Sequence, residues 1–212
     1  MTGEAKGSSM IRGQLAEVAA LVGQVSDELA DSVDRYADMV LATFRRGGKV
    51  LFCGNGGSAA DAQHIAAEYV VRFMRRRDPL PAVALTTDSS ILTASGNDLG
   101  FDTVFERQVR ALGRSGDLLV MHSTSGESEN LLRAARVAGE SGLATVGILA
   151  KGGGRLQDLV DLPIVIPTDS TARAQEMHMV LEHIVCDIVD RTTEEGPCVG
   201  SRACFRKGGE GR

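Results

Sequence analysis

Between residues 10 and 46, apolar side chains recur at helical spacing: Leu15, Val18, Val22 and Val25 in a first segment, then Leu29, Val33, Tyr36, Val40 and Phe44 in a second. This pattern predicts two amphipathic helices. They precede the first strand candidate, so they are an addition to the domain that follows, with faces suited to packing on another subunit. From residue 49 the period changes. Short apolar runs, KVLFC, AVALT, DLLVMHS, ATVGIL and LPIVIP, alternate with longer helical stretches. Runs that are apolar throughout belong to strands buried on both faces, and helical crossovers between them demand parallel pairing. The expected fold class is therefore α/β in three layers: about five parallel strands flanked by helices, with an N-terminal helical pair. A last helix follows the final strand, from residue 171 to about residue 191.

Composition fits one such domain and narrows its partners. Of the 212 residues, 43% are hydrophobic and only 4% aromatic, which supports one core built from aliphatic side chains. The formal net charge is -5, which offers no broad positive field for nucleic acid or an anionic membrane. No signal-like start and no spanning apolar run is evident, so a cytoplasmic protein is expected. Residues 1–10 and 194–212 are polar or Gly-rich without periodicity and are expected to be mobile ends around a single domain over 11–193, with 11–46 used in oligomer packing. The four cysteines lack metal or redox spacing, and Cys53 and Cys186 read as small core residues.

In a parallel sheet of this kind, ligands sit beyond the carboxyl ends of the strands. After the first strand comes Gly54-Asn55-Gly56-Gly57-Ser58, with Ser58 placed to cap a helix running to about residue 74. Glycines there let the backbone approach an anion, and the helix start adds free N–H groups, although a tight turn without a ligand has the same look. The third strand ends in His122-Ser123-Thr124-Ser125-Gly126-Glu127-Ser128 and opens a helix over 129–140. Hydroxyls on Ser123, Thr124, Ser125 and Ser128 form a neutral donor cluster suited to a phosphate monoester, and the absence of a Walker lysine argues against a nucleotide with magnesium.

On the helix after the glycine turn, His64, Glu68 and Arg72 follow at intervals of four and share one face, combining imidazole, carboxylate and cation. On the last helix Gln175 and His183 are about two turns apart and can serve one cleft. His178 falls on the other side and reads as structural or interfacial. No catalytic role is assigned to His122.

The segments GNGGSAADAQHIAAE, SGNDLGFD, STSGESEN and TARAQEMHMVLEH, in this order and at these separations, resemble the phosphoheptose isomerases of the sugar isomerase (SIS) superfamily over about residues 10–193. The resemblance implies an SIS-type sandwich and conversion of sedoheptulose 7-phosphate to D-glycero-D-manno-heptose 7-phosphate. It also implies a homotetramer with active sites between subunits. The site residues it implies are catalytic Glu68 and His183, and a zinc ion held by His64, Glu68, Gln175 and His183. Phosphate contacts fall to Gly56, Gly57, Ser58, Ser123, Thr124, Ser125 and Ser128. Asn55, Arg72, Asp98 in the loop after the second strand, Thr171 and Gln175 would contact sugar hydroxyls or order the loops. Two other readings are a non-catalytic SIS protein that binds a phosphosugar and an isomerase of another sugar phosphate.

Overall fold

The computed structural model of the chain describes residues 3–193, with side chains from residue 7; the tail expected from residue 194 lies outside the described residues. A long helix α1 (Gly3–Arg45) leads into β1 (Val50–Gly54), α2 (Gly57–Val70), β2 (Ala82–Ala84), α3 (Ser89–Asp98) and α4 (Val104–Leu112). Then follow β3 (Leu118–Ser123), α5 (Glu129–Glu140), β4 (Ala144–Ala150), β5 (Leu162–Ile166) and α6 (Thr171–Thr192). The strands form one sheet in the order β2-β1-β3-β4-β5, every neighbouring pair parallel.

The expected N-terminal pair is one continuous helix that starts at Gly3, inside the stretch expected to be irregular. Its apolar positions repeat every three or four residues from Leu15 to Phe44, and no proline interrupts them, so nothing breaks the backbone ladder between the two segments. The half nearest the sheet is buried through Val33, Tyr36, Val40 and Phe44, whereas Met10, Ile11 and Leu15 near the start are each more than 60% exposed.

Alternate residues of each strand feed two cores. Phe52, Leu118, Val120, Val146, Ile148 and Ile164 pack under α1, α2 and α6. Leu51, Cys53, Leu119, Met121 and Leu149 face the opposite way and pack on residues of α4 and α5. This two-sided burial is the physical content of the unbroken apolar runs. Cys53 and Cys186 are buried free thiols, as their composition suggested. Among the described residues, no helix is long and apolar enough to cross a membrane.

Candidate active site

The chain steps outward from β1 to β2 and returns on the other side of β1 as β3. At such a reversal the loops leaving the two central strands part and open a crevice. The glycine turn after β1 and the hydroxyl loop after β3 both enter it. Their side chains are tied together: Asn55 and Asn130 exchange reciprocal amide hydrogen bonds, each 2.9 Å long.

A cavity of about 230 Å³ lies there, lined by Asn55, Gly57, Ser58, His122, Ser123, Thr124, Ser125, Ser128, Thr171 and Gln175. None of these is Lys or Arg. The N-terminal ends of α2, α5 and α6 meet at this cavity through Ser58, Ser128 and Thr171, so three positive dipole ends stand where a cation is missing. Ser123 Oγ accepts the Gly126 N–H at 3.0 Å and Ser125 Oγ accepts the Glu127 N–H at 3.2 Å. Each hydroxyl keeps its own proton to donate, which suits an anion rich in acceptors.

Ser58 does not cap α2 as expected. The helix begins two residues earlier, at Gly57, with Gly56 at the N-cap in a positive φ of 57° and no side-chain cap. Ser58 already lies inside the helix, so it lacks the extended backbone an N-cap serine uses. Ser58 is instead buried and turned into the cavity.

Further along the same two helices a second cluster forms. His64 and His183 bring their Nε2 atoms to 3.1 Å, and Glu68 Oε1 lies 3.4 Å from His64 Nε2. The ligand atoms of His64, Glu68 and His183 all fall within 4.8 Å of one another, a group that can hold a metal ion. Nitrogens bound at about 2.0–2.1 Å to a tetrahedral zinc stand roughly 3.3 Å apart, so the spacing fits. The chemistry fits as well, because two imidazoles facing each other through Nε2 cannot both donate, and a shared cation satisfies both. Phe73 stacks on His183 with ring centres 5.5 Å apart and planes at 21°. Gln175 packs its amide against Gly57, at the lip of the anion cavity.

Three expected residues are not brought to the cavity lining. Helix α2 ends at Val70, short of residue 74, so Arg72 does not continue the His64 and Glu68 stripe; it is exposed, and its Nη1 donates to the Phe73 carbonyl at 3.4 Å. Asp98 is the last residue of α3 rather than part of a loop, and it lines a separate hollow with Ser95, Leu99 and Arg107. Gly56 stands at the N-cap, outside the lining.

Beneath the site lies a polar cluster that the sequence reading missed. Glu182, fully buried, accepts from Tyr36 Oη at 2.9 Å and pairs with His122 Nε2 at 2.8 Å. His178 is also fully buried, its Nε2 3.3 Å from the Leu149 carbonyl. Burial and then nearby His122 push the His178 imidazole down to about 3. Asp61, one turn before His64, has a buried oxygen without a partner, and burial holds its carboxyl above the usual range. The signal for Glu182 was present: it sits in phase with His178, Val185 and Val189, so a carboxylate occupies the core face of α6.

The chain matches the SIS domain family over residues 15–150. It is 58% identical over 159 residues to the phosphoheptose isomerase of Roseiflexus sp. strain RS-1, covering 75% of this chain and 81% of that one. Against the phosphoheptose isomerase of Geobacter metallireducens it is 51% identical over 181 residues, 85% of this chain and 96% of the other. Among solved structures, the phosphoheptose isomerase of Neisseria gonorrhoeae superposes with a TM-score of 0.82 at 42% identity, over 87% of this chain and 98% of that one. The Francisella tularensis phosphoheptose isomerase gives 0.84 at 35% identity, over 90% and 100%.

Proposed function

The chain belongs to the phosphoheptose isomerases of the SIS-domain family, and from that premise we infer that it interconverts sedoheptulose 7-phosphate and D-glycero-D-manno-heptose 7-phosphate through an enediolate. The observation that carries the reading is the meeting of Glu68 and His183, from two different helices, further along the same helices that line a cation-free anion cavity. Ser58 precedes His64 by six residues on α2, which spans about 9 Å along a helix. That separation is of the order of a heptose chain between its phosphate and its carbonyl end.

The reaction removes a weakly acidic proton beside a carbonyl and returns it to the neighbouring carbon. Glu68 is assigned as the base that moves the proton between C1 and C2. His183, held between His64 and Phe73, is assigned the transfer of protons to and from the sugar oxygens. The hydroxyl loop holds the phosphate, and binding energy gained there fixes the carbons against Glu68. Asn55, Thr171 and Gln175 face the sugar from the cavity wall. His64, Glu68 and His183, with Gln175 completing the set, are assigned as zinc ligands, and Glu68 and His183 act in proton transfer when loosened from the metal, since an atom bound to zinc cannot carry the proton. When bound, zinc supplies Lewis-acid polarisation of the sugar carbonyl.

The assembly assigned is a homotetramer with sites shared between chains. An apolar cavity of about 390 Å³ between α1 and α6, lined by Val22, Val25, Val33, Met177, Val180 and Ile184, supports association through these helices. A phosphorylated substrate that does not cross membranes unaided supports a cytoplasmic location.

The decisive experiment incubates purified protein with sedoheptulose 7-phosphate, before and after treatment with a chelator, and measures aldoheptose phosphate. Product is expected, with loss on chelation and recovery on adding zinc. No product from any ketose phosphate, alongside measurable phosphosugar binding, would replace the enzyme by a binding protein.

A further inference from the structure

Beyond Val70 the chain turns back beneath α2, and Arg77 enters the protein with its side chain only 3% exposed, against Asp190 at 1%. Its Nε donates to Asp190 Oδ1 at 2.7 Å. Nη2 donates to the carbonyl oxygen of Glu68 itself at 2.8 Å, and Nη1 to the carbonyls of Tyr69 at 2.7 Å and Asp78 at 3.1 Å. The second oxygen of Asp190 accepts the N–H groups of Met74 and Arg75, both at 2.8 Å. The last carbonyls of a helix have no partner within it, and here one cation satisfies two of them at the negative end of the dipole.

Asp190 lies two turns beyond His183 on α6. One buried ion pair therefore joins the backbone of Glu68 to the helix that carries His183. Stability alone is a weak reason for such a pair, because well-packed apolar residues often do as well in its place. What an apolar contact lacks is direction: the planar guanidinium fixes the angle and the distance at once.

We propose that Arg77 and Asp190 are positioning residues for the isomerase reaction, setting where Glu68 stands relative to His183. The inference rests on the functional reading above. Neither residue lines the anion cavity, so phosphate binding is left to the hydroxyl loop. Misplacing reacting groups by about 1 Å costs on the order of a hundredfold in rate.

The test is Arg77→Lys in the full-length protein. Lysine keeps a charge for Asp190, but a single ammonium on a flexible stem cannot also span the carbonyls of Glu68 and Tyr69. The expected result is near-wild-type circular dichroism, an unfolding midpoint lowered by the lost hydrogen bonds, a kcat on sedoheptulose 7-phosphate lower by about ten- to a hundredfold, and a KM within about threefold. Asp190→Asn is expected to show the same split between kcat and KM, with a lower unfolding midpoint because the buried guanidinium loses its counter-charge. A folded Arg77→Lys protein with kcat within about twofold of wild type, or with kcat and KM moving together, overturns the proposal. Should neither variant fold, hydrogen exchange on the wild type decides. The Met74 and Arg75 amides are then expected to exchange as slowly as those in the middle of α6, and exchange at the rate of an open loop overturns the clamp. A wild-type protein inactive on every ketose phosphate would sink the functional reading, and this inference with it; active wild type with unaffected variants sinks the inference alone.

Discussion

His64 and His183, 119 residues apart in the chain, face each other through Nε2 atoms 3.1 Å apart. The contact joins α2 to α6, and with Glu68 it makes one compact set of groups that could hold a metal ion. Everything assigned to the site depends on those two helices keeping this approach.

Glu68→Gln keeps the size of the side chain and removes its basicity. Turnover is expected to fall by on the order of a hundred- to ten-thousandfold, while sedoheptulose 7-phosphate still binds within a few-fold of wild type by calorimetry. Retained turnover would assign the base elsewhere.

Two glycines, Gly57 in the cavity wall and Gly126 in the hydroxyl loop, separate function from stability. The atoms nearest a methyl at Gly57 belong to the amide end of the Gln175 side chain, so Gly57→Ala is expected to fold normally and raise KM or lower kcat by pushing Gln175 aside. A methyl at Gly126 meets the Gly153 backbone, and φ there is +65°, so Gly126→Ala is expected to lower the unfolding midpoint instead. Equal midpoints for the two variants would contradict this assignment of the loops.

The buried His178 gives stability a pH dependence of known sign. Its folded form stays neutral down to about 3, whereas the unfolded chain takes up a proton at the ordinary histidine value of about 6.5. The unfolded state thus binds more protons between those limits, and stability falls as pH drops through that window, by up to about 1.4 kcal/mol per pH unit. In His178→Gln, urea midpoints measured at pH 7 and pH 5 are expected to differ less than in the wild type. An identical pH slope in both proteins would mean that His178 is protonated in the fold.

In the tetramer proposed above, exposed apolar residues on α1, such as Leu15 at 63%, would lie in contacts between chains. Light scattering is expected to give a four-chain mass for the wild type and a smaller one for Leu15→Asp, with isomerase activity reduced alongside. A monomeric wild type with full activity would remove the shared-site assembly.

The strands, their parallel pairing and the two loops that build the anion cavity were legible in the chain, because each depends on local facts. An apolar run such as LLVMH reads as a strand buried on both faces, and serines before a helix mark a donor-rich start. The N-terminal stretch was expected to be two helices and is one, α1, although its apolar spacing does run on past residue 25 without a breaker. Where α2 stops was not legible, because Val71 and Arg72 are compatible with helix and the stop comes from the buried Arg77 drawing the chain back beneath the last carbonyls. Nor was Asp98's place at the end of α3, away from the cavity, or the burial of Glu182 between Tyr36 and His122. Periodicity and turn chemistry act over a few residues, whereas the approach of His64 to His183 and the reach of Arg77 from α2 to α6 are set by the order of the strands and the packing of helices across them.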